Sequence, residues 1–447
     1  MENNKLAILG GEPVVGKDAP VGNLFNWPII TEEDEAAALE VIRSGDFSGT
    51  TISQQFEQEF AAWQGTKHAV VFCNGTQALA AAMFAIGLGA GDEMICTTKT
   101  YWASATPALI FGATPVFCNI NRMLSMDPED LERRITPRTK AIMVVHYMAY
   151  PCDMDCIMAI AKKYDLKVIE DVSHAHGALY KGKKVGTFGD VAAMSLMSGK
   201  SLVAGEGGML VTDNREIYER ALAYGHYERN NATNIQSEAL KPFLGLPLGG
   251  VKARLNQVAS AIGRVQLKHY DERVAEIDKA MNYFWDLLDG VPGIRAIRPE
   301  KGSGSTMGGW YCCSGAYFPE ELHGLPVKTF CDAVTAEMNG MGSTWAGGNF
   351  CLHTHRLFGE LDFRNAGKPS TIEYLADEIY RGAEDCDSSI ECYSFSVPWF
   401  KHYDKEWIEA FAMAFRKVAE NHLQLLDIAD RSGTEHGRWF GTKNEEN

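Results

Sequence analysis

Between residues 68 and 212 the chain alternates short apolar runs with longer stretches whose apolar positions recur at helical spacing. The runs are "HAVVFCNG", "DEMICT", "TPVFCNI", "KAIMVVHYM", "LKVIEDVS", "VAAMSLM" and "GGMLVTD". Between them lie "TQALAAAMFAIGL", "YWASATPALIFG", "DPEDLERRI" and "DMDCIMAIAKKYD". Strands that are apolar at nearly every position must be covered on both faces, and intervening helices permit parallel neighbours. The pattern therefore predicts an α/β unit on a mostly parallel, seven-stranded sheet.

A long helical region is expected at about 252–289, ended by a glycine as helices commonly are. Beyond it, "GIRAIRP", "GGWYCCSGAYF" and "VKTFCDAVTAEMNGMG" resume an alternation of strand and helix, and "DKEWIEAFAMAFRKVAENHLQLL" reads as a closing helix. The expected division is a large domain over 1–265, including the amino-terminal segment, and a smaller α+β domain over 266–447. The final "RSGTEHGRWFGTKNEEN" has no periodic pattern and is expected to fray.

With 447 residues, 46% of them hydrophobic, the chain can bury two cores. Its net charge of −16 disfavours nucleic acid or an anionic membrane as partner, because both reward basic surfaces. The start of the chain has no basic stretch followed by an apolar core, and no apolar run approaches the ~18 residues of a membrane span. A cytoplasmic protein is the expectation. The 11 cysteines are scattered. The close pairs Cys152/Cys156 and Cys312/Cys313 lack zinc-site spacing, so reduced, mostly buried thiols are expected and no metal.

The segment "MSLMSGKSLVAGEGG" contains Ser-Gly-Lys-Ser, the ending of a nucleotide-binding P-loop. That motif needs a glycine six positions before its lysine and a helix after it. Met194 stands at the glycine position before Lys200, and the glycines that follow break a helix, so the P-loop fails. A dinucleotide site is likewise disfavoured, since "GLGAGDE" does not match the glycine fingerprint after a strand.

Three features then converge. "VVFCNGTQALAAAM" runs from a strand through Asn74, Gly75 and Thr76 into a helix, which is either an anion cradle or a simple N-cap by Thr76. "LKVIEDVSHAHG" puts Glu170 and Asp171 at the end of a buried strand, at the crevice where open α/β sheets bind ligands. His174 and His176 follow; without a third ligand they suggest hydrogen bonding, His176 above all, more than a metal. A carboxylate, a lysine and an anion cradle at one crevice are what pyridoxal phosphate needs: Lys200 for a Schiff base, Asp171 for the pyridinium nitrogen, the cradle for the phosphate.

"IEDVSHAHGALYKGKKVGTFGD", "MSLMSGKSLVAGEGGMLVTDN", "GTQALAAAM", "GDEMICTTKTYWASATPALIFGATPVF", "ITPRTKAIMVVHYM" and "RLNQVASAIGRVQL" closely resemble the DegT/DnrJ/StrS family of sugar and cyclitol aminotransferases. They occur in family order over about residues 25–270. The resemblance implies a fold-type-I transferase of the aspartate aminotransferase class. It implies Lys200 as the Schiff-base lysine and Asp171 as the partner of the pyridine nitrogen. It sets Tyr101 on one cofactor face, Ser173 in support of the other, and His174 near the phenolic oxygen. Gly75, Thr76 and Ser195 match phosphate contacts. Where many members carry "G-Y-N-Y-R", with an asparagine reaching the partner subunit's phosphate, this chain reads Gly250-Val251-Lys252-Ala253-Arg254. Lys252 is thus either a cofactor contact across a homodimer interface or a solvent-facing lysine at a helix start.

The resemblance implies transfer of an amino group from glutamine or glutamate to a cyclitol (an inosose) or a simple keto-sugar. Family dehydratases carry histidine where this chain keeps Lys200. A dehydratase, an aminohydroxybenzoate synthase-like enzyme and a non-catalytic cofactor-binding protein are the alternatives. "GSTWAGGNFCLHTHRLFG" resembles a loop closing over substrate, with Trp345, Asn349, His353 and His355 as contacts, or it is a surface connection. Trp399 and Phe400 in "ECYSFSVPWFKH" read most simply as core.

Overall fold

A computed structural model describes residues 4–342, 344–355, 357–358 and 393–429. The closing tail, and Ser343, Arg356 and Gly359 of the candidate substrate loop, lie outside the described residues. Two helices, α1 (Glu32–Ser44) and α2 (Thr51–Gln64), precede the large sheet. Strands β1 (His68–Phe72), β2 (Glu93–Thr97), β3 (Thr114–Cys118), β4 (Thr139–Val145) and β5 (Lys167–Asp171) alternate with α3 (Gly75–Ala85), α4 (Pro107–Ile110), α5 (Pro128–Arg134) and α6 (Met154–Tyr164). A small hairpin, β6 (Leu179–Tyr180) and β7 (Lys183–Lys184), leads to β8 (Val191–Ser195), β9 (Gly208–Thr212) and α7 (Arg215–Gly225).

The sheet order is β1-β9-β8-β5-β4-β2-β3, and only β9 runs antiparallel to its neighbours. The seven apolar runs are the seven strands. Along β4, Ala141, Met143 and Val145 join one apolar cluster while Ile142 and Val144 join another. Both faces of the sheet are thus covered, which is why the runs show no polar alternation.

Two expected helices are shorter than their patterns. The region at 252–289 is two helices, α8 (Gln257–Lys268) and α9 (Tyr270–Leu287), and residues before Asn256 are not helical. Asn256 caps α8 by accepting from Ala259 N at 2.9 Å. Tyr270 is buried, with its hydroxyl 2.9 Å from His176 O and 2.9 Å from Ser201 Oγ in the large unit. Ile277, Met281 and Phe284 belong instead to the carboxy-terminal core. One helix axis gives way to another at His269 so that both cores receive their residues. "YWASATPALIFG" likewise forms one 3-10 turn and the short α4, because Pro107 removes a helical donor.

The carboxy-terminal unit has an antiparallel sheet in the order β10 (Ile294–Ala296), β11 (Ser314–Tyr317), β12 (Ser394–Ser396). It packs with α9, α10 (Val327–Glu337) and α11 (Lys405–Glu420) around Phe284, Phe330, Phe395 and Phe415. Each such buried ring contributes roughly 1.5–3 kcal/mol. Leu6, Val15 and Leu24 from the amino-terminal segment join this core. Ala7 N and Val14 N donate to the Glu337 carboxylate at 2.8 and 3.2 Å, and Lys417 pairs with the same group at 2.9 Å. The amino-terminal segment and α11 therefore share one core. Among the described residues no helix is long and apolar enough to cross a membrane.

Candidate active site

A cavity of about 770 Å³ opens where the carboxyl ends of β4, β5 and β8 meet the carboxy-terminal unit. Strand alternation sorts the two acids at the end of β5. Asp171, 5% exposed, faces the cavity; its Oδ2 accepts from Ser104 Oγ at 2.7 Å and its Oδ1 from Ser173 N at 3.0 Å. Glu170 points to the other face. There its carboxylate accepts from Gly186 N, Phe188 N and Gly189 N at 2.6–2.8 Å and from His146 Nε2 at 3.1 Å. His146 Nδ1 accepts from Cys152 N at 3.1 Å, which leaves the imidazole proton on Nε2 for Glu170. Burial pushes the Glu170 carboxyl up, but the hydrogen bonds to it outweigh burial and hold its pKa below the usual value.

The cradle forms where α3 begins. The cap is Asn74 and not Thr76: Asn74 Oδ1 accepts from Gln77 N at 2.9 Å. The amides of Gly75 and Thr76, at the cavity lining, have no carbonyl within the helix to bond and remain as donors. A Cβ on Gly75 would sit 2.6 Å from Ser195 Cβ, and one on Gly208 would sit 2.3 Å from Asn74 O. Only glycine lets these three segments close into one concave wall. Ser195 donates its amide to Ser173 Oγ at 3.0 Å and accepts at its carbonyl from His176 Nε2 at 2.9 Å. Burial, then the charge of Lys200, push the His176 pKa down to about 3, so it is a neutral strut beneath the cradle.

Lys200 lies on the loop after β8 and is 8% exposed. Its carbonyl accepts from Trp27 Nε1 at 2.7 Å, and its Nζ stands 4.1 Å from the centroid of the Tyr311 ring. Burial pushes its pKa down to about 8 against the opposing pull of Cys312 and Asp171. His174 is neutral as well, held far down by burial and by Lys200, and its Nδ1 accepts from Met148 N at 3.3 Å. Tyr101, Ser173 and Thr76 line the same cavity.

Other expected residues are placed differently. Lys252 is exposed, outside the cavity of its own chain, with Nζ 5.8 Å from the Tyr227 ring centroid. Trp345 and Asn349 line the cavity. His353 bonds Thr98 and His355 is exposed; neither lines it. Phe400 is core, but Trp399 is half-buried and forms part of the cavity wall. Tyr311 and Lys401 also line it and had no pattern in the sequence to mark them.

The residue pattern that defines the DegT/DnrJ/EryC1/StrS aminotransferase family matches residues 28–321. This chain belongs to that family. It is 32% identical to L-glutamine:2-deoxy-scyllo-inosose aminotransferase of Streptoalloteichus tenebrarius, over 79% of this chain and 83% of that one. It is 38% identical to GDP-perosamine synthase of Caulobacter vibrioides, over 55% of this chain and 64% of the synthase. The structure superposes on an aminotransferase from Psychrobacter cryohalolentis with a TM-score of 0.74 at 27% identity, over 89% of this chain and 100% of that one. The cofactor of this fold-type-I aminotransferase is pyridoxal phosphate. The wall fits it: one buried carboxylate, one buried lysine of lowered pKa, and a glycine-built concavity at a helix start.

Proposed function

We propose that this aminotransferase moves an amino group from glutamine or glutamate to the keto group of a cyclitol or simple keto-sugar, in amino-sugar or aminocyclitol biosynthesis. The observation that carries the proposal is the convergence of Lys200, Asp171 and the Gly75–Ser195 cradle on one cavity. When bound, pyridoxal phosphate supplies an electron-poor ring that stabilises negative charge on the carbon losing its proton.

Lys200 tethers the cofactor between turnovers and carries the proton at the reacting carbon. Its pKa of about 8 brings the neutral amine within reach at physiological pH. Asp171, oriented by Ser104 and by Ser173 N, keeps the ring nitrogen protonated. The α3 amides of Gly75 and Thr76, with the Ser195 hydroxyl, hold the phosphate. Tyr101 and Ser173 flank the two ring faces, and neutral His174 borders the phenolic oxygen. Lys252 of a second copy completes the phosphate site, so the working form is a homodimer; its exposure on its own chain leaves it available for that contact. A non-nucleotide acceptor is favoured because the match to the cyclitol enzyme extends over 79% of the chain, against 55% for the nucleotide-sugar enzyme. We place the enzyme in the cytoplasm, a reducing compartment that suits the buried thiols of Cys96, Cys152, Cys313 and Cys331.

Addition of glutamine or glutamate to the cofactor-loaded protein should shift its visible spectrum; an inert binding protein would show no shift. Lys200→Ala should lose the lysine-bound absorption band and at least about 10³-fold in turnover. Undiminished transfer by that variant would sink the proposal.

A further inference from the structure

The wall opposite Lys200 carries a second buried lysine. Lys401 follows β12, is 4% exposed, and lines the same cavity. Its amide donates to Leu24 O at 2.8 Å, fixing the backbone. Its Nζ donates to Trp399 O at 3.2 Å and lies 3.0 Å from the centroid of the Trp399 ring. Burial pushes its pKa down to about 7; the groups acting against burial are the thiols of Cys313 and Cys312, and among the described residues no carboxylate is one of them. A buried ammonium without an anion is costly, and an apolar methionine would fill an aromatic wall at no such cost. An amine kept in that position, and restored to its charged form by an incoming anion, fits a ligand that carries one.

The two lysines are joined by a pair of edge-on rings. Lys200 Nζ stands 4.1 Å from Tyr311, the Tyr311 and Trp399 rings meet edge-on at 5.8 Å, and Lys401 sits on Trp399. An anion at Lys401 is therefore held inside the cavity that contains the reacting amine. We propose that Lys401 receives a carboxylate of the amino donor, an assignment that rests on the aminotransferase reading above. The donor is an amino acid and always brings a carboxylate; a cyclitol or simple keto-sugar brings none. Lys401 therefore serves the amine-loading half-reaction and not the amine-delivering one.

The test uses cofactor-loaded wild type, Lys401→Met and Lys401→Arg. Amine loading is followed by absorbance with glutamine and with glutamate, and delivery from the pre-aminated protein to scyllo-inosose. Glutarate binding is followed by tryptophan fluorescence, without turnover. Lys401→Met should raise the donor KM and the glutarate Kd by about 10- to 100-fold, the loss expected for a hydrogen bond to a charged group. Maximal loading and delivery should stay within about threefold, and Lys401→Arg should recover most of the binding. A rise for both donors identifies the α-carboxylate; a rise for glutamate alone identifies its side chain. Unchanged donor KM and glutarate Kd in Lys401→Met would overturn the assignment. So would loading and delivery falling together with loss of the cofactor band. If wild type loads from neither donor, the aminotransferase reading fails, and the glutarate titration alone decides: weaker binding in Lys401→Met keeps a carboxylate site, and equal binding removes it.

Discussion

The two walls of the cavity are built on different physical terms. On the sheet side, Asp171, Ser173, Ser195 and His176 are tied to one another and to the backbone by hydrogen bonds of 2.7–3.0 Å. On the carboxy-terminal side, Tyr311 and Trp399 meet edge-on, with Lys200 against the first ring and Lys401 against the second. The first wall fixes donors and acceptors to the precision that proton transfer demands. The second supplies apolar shape and one buried amine, Lys401, which suits recognition of a substrate whose outline varies among relatives.

Changes on the sheet wall should then alter rate constants, and changes on the aromatic wall should alter substrate affinities. Asp171→Asn is expected to have the largest effect, a fall of about 10²- to 10⁴-fold in kcat for both half-reactions. Its melting temperature should hold, because the amide oxygen still accepts from Ser173 N. A KM effect without a kcat effect would break the comparison.

Glu170→Gln should come next, and in stability: about 1.5–3 kcal/mol lost by denaturant unfolding, since three backbone amides and His146 donate to a buried carboxylate. The Glu170 pKa is lowered by folding. The carboxylate therefore stabilises the fold fully above the unfolded value near ~4.3, and that contribution fades as pH falls through the folded value. The gap between wild type and variant should close in acid; a gap that widens there would contradict the placement of charge on Glu170.

Trp399→Phe should have the smallest effect, a change of about three- to tenfold in KM with kcat inside threefold. A kcat loss comparable to that of Asp171→Asn would show that the aromatic wall also positions the reacting atoms.

Much of the large sheet was legible because each strand is an uninterrupted apolar run whose length and flanking turns are local properties. The same locality made Lys200, Asp171 and the Gly75–Thr76 helix start visible, since each sits at a strand exit with its turn residues beside it. The break at His269 was not legible: the apolar spacing of 252–289 is helical throughout, and only the need to bury Tyr270 in one core and Phe284 in another divides it. The sequence offered Thr76 as the cap of α3, and the Asn74 side chain takes that place instead, because it stands one residue before the first helical position.

The sequence by itself determined which strands form, in what order the helices separate them, and which residues stand at the strand ends, because those depend on spacing and turn chemistry within a few residues. Tertiary structure decided what holds Glu170 on the other face of the sheet, three loop amides and His146. It also decided that Tyr311, Trp399 and Lys401 stand across from Lys200. Those residues lie far from Lys200 along the chain, on a unit with its own core, and no local pattern encodes how two cores meet.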